Sequence, residues 1–502
     1  MRVKNLMRNS FFGMFGQVVL IGFGFVCQRV LNMKLGEALV GLNSVISNIL
    51  SILSVTELGI ATAVVFNLYR ALAAQDEQEI AGLMNLYRKA YYVFAAVITA
   101  LGLGIMPFLQ LFLKENPFTP EYVRLVYFLW LARTVVAYLL SYRRSILIAD
   151  QQEYVVSIAS LLANVLDYSV IILIVNYTGD FVLPLALNIV IDSVCNVWIS
   201  AYVDRKYPFL RRLRKEPLDK KLRIKVFDNV KNIFASHLAD KLLVATDNVI
   251  ISSFISVAFA GLYNNYCLIT NALTNIARAL SNAIQPSVGT IFVEDHKQGG
   301  QLLRVVTFLF FLFASSTACA VYTVINPFVR DVWLGDSYLM ELSVVALYVI
   351  NYFLLILSLP VAMVMGVTGL FDRERNIALI SAACNMLLSI GLVRVCGIYG
   401  VLLGTLVAYV MQVSYRVHVF HHIYLGVSMR VYVMDLLQYL ALGFGESVLV
   451  SRLAEQIYQP GSIVRFLMVA VLAAGLPLAL NLVLYAKSWR MHSIFSLFRH
   501  KN

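Results

Sequence analysis

Charge is scarce in this chain. Asp, Glu, Lys and Arg make up only 14% of its 502 residues, where soluble domains carry about 25%. No segment has the composition of a soluble domain. Cysteine is scarce too. The six residues (Cys27, Cys195, Cys267, Cys319, Cys384 and Cys396) are scattered and form no CxxC pair, which argues against a disulfide framework and a cysteine-based zinc site. Small apolar filler is the role that remains. No GxxxxGK[ST] loop appears, so there is no P-loop to drive the protein with a nucleotide. No catalytic constellation survives inspection either. Gly22-Phe23-Gly24 and Gly102-Leu103-Gly104 lie inside apolar runs, where close helix packing is the ordinary use of glycine. His418, His421 and His422 cluster near a helix end, where the dipole already favours histidine. An enzyme is not expected, nor is a cofactor or a metal. No cleavable signal peptide is apparent. The first apolar run is long and lacks a small-residue cleavage site, so it is expected to stay as the first span.

What the chain has in quantity is apolar sequence, at 60% hydrophobic residues. Runs of roughly 20 residues recur along its length, enough to cross a hydrocarbon core of ~30 Å. The fold class is therefore an all-α polytopic membrane protein. Fourteen spans are predicted: 10–31, 39–69, 87–113, 122–146, 154–176, 180–203, 229–256, 258–292, 301–326, 338–367, 374–396, 398–420, 431–451 and 463–487.

Lys and Arg set the orientation. Alternate loops hold Arg70, Arg88 and Lys89; Arg143 and Arg144; the basic run 205–231; Lys297; Arg373 and Arg375; Arg416 and Arg430. The other loops hold only Lys34, Lys114, Arg330, Arg394 and Arg452, with acids such as Glu37, Glu115, Asp180 and Asp331. The first set is read as cytoplasmic, and an even span number puts both termini there. The net charge of +12 is then largely a topology signal. The run 205–225 suits anionic lipid headgroups, and no recognition motif for nucleic acid accompanies it.

The chain also repeats itself. Gly41-Leu42 matches Gly261-Leu262, Pro107-Phe108 matches Pro327-Phe328, and nearly the same shift carries Asn164 close to Asn385. Two parallel six-helix units are predicted, forming two lobes related by an axis along the membrane normal, with the substrate handled between them. The expected organisation is an N-terminal lobe over 1–203, a basic cytoplasmic linker over 204–228, a C-terminal lobe over 229–425, and two additional helices with a basic tail over 426–502. The outer loops are short; the longest are 114–122 and 327–341. A membrane-embedded polysaccharide polymerase would need a larger outer loop, so the duplication and the short loops argue against that class.

Four stretches carry a family resemblance: 56-TELGIATAVVFNLYRALAAQD-76, 146-ILIADQQEYVVS-157, 246-TDNVIISSFISVAFAGLYNNY-266 and 381-SAACNMLLSIGLVRVCGIYGVLLGTLVAY-409. The last contains Asn, an apolar run, then Gly-Ile-x-Gly before a Thr-containing helix. Together they resemble the polysaccharide (lipid-linked oligosaccharide) flippases of the multidrug/oligosaccharidyl-lipid/polysaccharide (MOP, MATE-like) exporter superfamily, over nearly the whole chain. The resemblance implies an alternating-access transporter in the bacterial plasma membrane. Its implied substrate is an undecaprenyl-diphosphate-linked oligosaccharide, and its implied partners are membrane lipids, a coupling ion (H⁺ or Na⁺) and polysaccharide-assembly proteins. A cation-coupled multidrug exporter and a peptidoglycan-lipid flippase are the alternatives within the superfamily.

Polar residues inside spans are expensive in lipid and should face a cavity or a partner. The eighth span carries Asn271, Asn275, Arg278 and Asn282 at steps of four, three and four, hence on one helical face. Arg278 points to a hydrated cavity, since Asn alone would suffice as interhelical glue. A diphosphate needs cations that stay charged in a low dielectric, and Arg does this best. Arg29, Arg133 and Arg278 are the phosphate-facing candidates, with Lys241 next. The Asn residues suit sugar hydroxyls, which need both donors and acceptors. Asp167 and Asp192 equally suit glue between the fifth and sixth spans. Glu57, Asp240 and Asp247 are the acids expected to bind a coupling ion, or else to balance nearby cations. The prenyl tail has no polar needs, and spans 431–451 and 463–487 could give it an apolar groove.

Overall fold

The computed structural model describes residues 2–54, 58–213, 238, 241–242, 245–294 and 296–493. Among them the chain is helical and contains no strand. The helices are α1 (Arg2–Leu53), α2 (Leu58–Ala74), α3 (Glu77–Ile105), α4 (Pro120–Ser141), α5 (Arg144–Ala149), α6 (Glu153–Thr178), α7 (Val182–Lys206), α8 (Phe209–Arg212), α9 (245–254), α10 (Val257–Glu294), α11 (His296–Pro327), α12 (Leu342–Val367), α13 (Phe371–Cys396), α14 (Ile398–His418), α15 (Arg430–Ile457) and α16 (Ile463–Leu484).

Eleven helical segments among the described residues are long and apolar enough to cross a membrane. Three differences separate that number from the fourteen predicted. The first two predicted spans are joined through α1, which breaks only at Gly36 (φ 80°, ψ 168°). The predicted span 229–256 lies mostly outside the described residues. The predicted span 258–292 coincides with α10, whose Asn and Arg residues lower its apolarity. Large apolar side chains point outward on the spanning helices: Tyr177 is 82%, Val395 83% and Val483 76% exposed. A surface of that kind is stable only against hydrocarbon.

Local chemistry fixes the helix ends. Asp76 accepts from the backbone N–H groups of Gln78 and Glu79 and starts α3. Thr119 caps α4, whose first residue is Pro120. Gly179 ends α6 in the left-handed conformation, and Asp180 then accepts from the Val182 and Leu183 N–H groups at 2.9 and 3.2 Å. The repeated Pro-Phe pairs occupy like positions. Pro107-Phe108 lies in a 3-10 turn (Met106–Phe112) after α3, and Pro327-Phe328 spans the junction of α11 with a π-turn (Phe328–Trp333).

The Cα packing divides the chain into two compact units, Met1–Gly261 and Leu262–Asn502. The duplication divides it by sequence correspondence, which is a different criterion. Most of the expected linker, from residue 214 onward, lies outside the described residues. In the second unit α13 and α14 form a tight hairpin. Gly397 (φ 57°) makes the reversal. Cβ atoms at Gly400 and Gly404 would fall 2.4 Å from the Leu392 carbonyl carbon and 2.3 Å from Ser389 Oγ. The Gly-Ile-x-Gly pattern is thus a backbone-contact motif. Asn385 Nδ2 donates to Thr405 Oγ1 at 2.9 Å, and Gln412 Nε2 to Ser381 Oγ at 2.6 Å, across the same seam.

Candidate functional site

The first unit is organised around Arg133 on α4. Its Nη2 meets Asp167 Oδ2 of α6 at 2.5 Å, and its Nε meets Asp192 Oδ2 of α7 at 2.7 Å. The guanidinium also lies 5.3 Å from the Trp130 ring centroid, and Trp130 Nε1 donates to Asn43 Oδ1 of α1 at 2.8 Å. One arginine therefore ties three helices, and its neighbour Trp130 reaches the fourth. Two carboxylates offset its charge. Asp167 and Asp192 do act between helices, through an arginine the sequence analysis had placed with the phosphate-facing cations.

The other candidates of this unit are more open. Arg29 is exposed on α1, with Nε donating to Met33 Sδ at 3.5 Å. Lys241 is exposed and donates to Ser51 Oγ at 3.2 Å. Asp247 is buried, at 5% exposure. Beside it, Asn248 Nδ2 donates to Ser44 Oγ at 2.6 Å. Glu57 and Asp240 lie outside the described residues.

In the second unit the polar stripe of α10 is laid out as its spacing requires. Asn271, Asn275, Arg278 and Asn282 are all exposed. The residues just before each of them, Thr270, Thr274, Ala277 and Ser281, are buried at 5%, 7%, 0% and 8% exposure. One residue is about 100° on a helix, so a small-residue face packs inward and an amide–guanidinium face turns outward. Thr270 is hydrogen-bonded to Tyr348 of α12, which orients the inner face.

An apolar cavity of about 130 Å³ lies where α15 meets α11 and α12, lined by Ala318, Tyr322, Val349, Phe353, Gly443 and Phe444. α16 does not line it.

Sequence reasoning passed over several polar groups that the structure brings together. Arg304 of α11 meets Asp435 of α15 at 2.8 Å, and Arg490 pairs with the same carboxylate. Arg416 of α14 pairs with Glu374 of α13. Arg143, Arg211 and Asp204 line a cavity of about 300 Å³ with Arg88, the two closer arginines meeting Asp204 at 2.5 and 3.0 Å. Nearby, just past the end of α7, Tyr207 donates to Asp150 Oδ2 at 2.6 Å. Burial, and then the Asp150 carboxylate, push its phenol above the ordinary range. Each partner lies 40 or more residues away in sequence, so only i,i+3 or i,i+4 pairs were open to inspection. Glu446 on α15 is buried without forming an ion pair among the described residues, and nothing in its local pattern marked it.

The sequence pattern of a family described as polysaccharide biosynthesis protein matches residues 6–292. No curated protein matches the chain by sequence. Among solved structures, it is similar to the lipid II flippase MurJ in an inward closed conformation, with TM-score 0.69 and 13% identity over 95% of this chain and 99% of that one. An inward-facing multidrug resistance MATE family transporter of the MOP superfamily gives TM-score 0.66 and 12% identity over 83% and 98%. A MOP superfamily transporter from Pyrococcus furiosus gives TM-score 0.56 and 12% identity over 83% and 95%. At these identities the likeness is one of fold.

Proposed function

The chain belongs to the polysaccharide biosynthesis protein family, and from that premise we propose that it flips an undecaprenyl-diphosphate-linked oligosaccharide from the cytoplasmic to the outer leaflet of a bacterial plasma membrane. The observation that carries this reading is the outward-turned stripe Asn271–Asn275–Arg278–Asn282 on α10. A drug exporter has no need of an arginine among amides. A diphosphate sugar needs a cationic fork beside groups that both donate and accept. Arg278, Arg29 and Lys241 are the proposed diphosphate contacts, and Asn271, Asn275 and Asn282 the sugar contacts. Arg133 is assigned to the framework of the first unit, because Asp167 and Asp192 hold its fork. The cavity beside α15 suits part of a prenyl chain. Movement follows an alternating-access cycle, with both termini cytoplasmic and H⁺ or Na⁺ as the coupling ion.

A flippase for the peptidoglycan lipid precursor is the second reading. The fold likeness to a lipid II flippase extends over more of the chain than the likeness to multidrug transporters, which supports a lipid-linked cargo over a drug. Mass spectrometry of lipid-linked saccharides in a deletion strain tests both. Accumulation of an oligosaccharide diphosphate lipid that complementation removes is the expected result. Accumulation of the peptidoglycan precursor instead selects the second reading, and no accumulated lipid overturns both.

A further inference from the structure

Where α11, α15 and α16 meet, the packing is largely apolar. Cys319, Val450 and Ala473 form a buried cluster, with Val324, Leu472 and Leu476 against it. One carboxyl interrupts this seam. Glu446 of α15 is 6% exposed and accepts a short hydrogen bond on Oε2 from Ser315 Oγ of α11. Asn481 Nδ2 of α16 donates to the same Ser315 Oγ at 3.0 Å. Ser315 and Asn481 are 1% and 0% exposed.

The donors do not suffice. A hydroxyl has one proton, and Ser315 directs it to Oε2. Glu446 Oε1 and Asn481 Oδ1 remain as buried acceptors with no hydrogen-bond partner among the described residues. No counter-ion relieves a charge there. Asp435, eleven residues before Glu446 and ~16 Å away along α15 at 1.5 Å per residue, is held by Arg304 and Arg490. At the other end of α11, Arg330 holds Asp331. Arg452 and Glu455 of α15 and Arg465 of α16 are exposed. α12, which packs on α11, carries no acid or base, and its Tyr352 donates to Thr317. Cys319 Sγ lies 3.9 Å from the Glu446 carbonyl oxygen, and Tyr485 stands one turn beyond Asn481. An ionised carboxylate is strongly disfavoured in such surroundings. A proton on Oε1 removes the charge and converts one orphaned acceptor into a donor.

We propose that Glu446, Ser315 and Asn481 form a proton-binding site in which Glu446 carries the proton on Oε1. The site stands on hydrogen bonding inside the second unit, so it holds whatever the cargo or the coupling ion proves to be. Infrared difference spectroscopy of the full-length protein in lipid, wild type against Glu446→Gln at neutral pH, tests it. The expected result is a protonated-carboxyl C=O band in the wild type that the variant loses, with equal thermal stability because the amide is a neutral isostere. A difference spectrum with no such band, or with carboxylate bands in its place, overturns the proposal. Should Glu446→Gln fail to fold, Ser315→Ala gives the second reading. Losing the donor to Oε2 should shift the frequency of the band, and an unshifted band would assign it to another carboxyl and overturn the site.

Discussion

Gly41 on α1 and Gly261 on α10 meet backbone to backbone. A Cβ at Gly41 would lie 1.8 Å from the Val257 carbonyl oxygen and 2.9 Å from Gly261 N. A Cβ at Gly261 would lie 2.0 Å from the Glu37 carbonyl oxygen and 2.8 Å from Gly41 N. These are the two glycines that the sequence repeat had paired, so duplicated positions touch each other in near-symmetric fashion. A backbone atom cannot swing away as a side chain can. Gly41→Ala and Gly261→Ala should each lower stability by about 1–3 kcal/mol or more, with similar falls in the thermal midpoint in detergent. Gly104→Ala, which meets nothing within 4 Å, is the control and should be neutral or slightly stabilising. An unchanged midpoint in either of the first two variants would show that the crossing is looser than described.

The repeat was legible because glycine and proline mark backbone events, and backbone events survive divergence of the side chains around them. The stripe on α10 was legible because its spacing is local: four positions on one helix decide which face they share. Arg133 was not legible in the same way. Its partners stand 34 and 59 residues away, and no periodicity links a cation to an acid on another helix. Glu446 was hidden for a related reason. A single acid in a helix reads as surface until the helices that bury it are known.

The Arg133 network gives a graded test. Removing one member of a buried ion pair leaves an uncompensated charge, typically at a cost of 3–5 kcal/mol. Arg133→Gln should therefore approach about 3–5 kcal/mol of destabilisation, since it strands two carboxylates. Asp192→Asn should cost less than Asp167→Asn, because the Asp192 side chain is 28% exposed and that of Asp167 only 5%. Equal losses for the two acids in thermal unfolding would contradict this ordering.

Orientation can be read by labelling. In a background without the native cysteines, Pro117→Cys and Ser337→Cys should react with an impermeant maleimide in intact cells. Gln78→Cys should react only after permeabilisation. All three positions are exposed, so a failure to react reports the side of the membrane. Labelling of Gln78→Cys in intact cells would invert the proposed topology.

Arg278 separates cargo binding from folding. It is exposed on α10, so Arg278→Ala should leave expression and thermal stability near the wild-type level while abolishing complementation of a deletion strain. Arg278→Lys should restore only part, because a point charge cannot replace a bidentate fork on phosphate. Full complementation by the alanine variant at normal expression would remove Arg278 from the site.

Coupling is the most demanding prediction. Carrying a multiply charged headgroup outward needs an energy source, and the sequence offers no nucleotide loop. An ion gradient is then the expected driver, with Asp247 buried at 5% exposure as one proposed ligand and Glu57 and Asp240 as the others. In proteoliposomes containing the purified protein, an imposed pH or Na⁺ gradient should change the rate at which a fluorescent diphosphate-linked lipid crosses the bilayer. Glu57→Gln, Asp240→Asn and Asp247→Asn should each flatten that dependence while leaving gradient-free exchange measurable. If neither gradient alters the wild type, coupling through these acids is excluded. If the gradients act on the three variants as they do on the wild type, the ion binds elsewhere. Glu446→Gln then becomes the decisive variant, because its carboxyl is the buried acid that forms no ion pair among the described residues of the second unit.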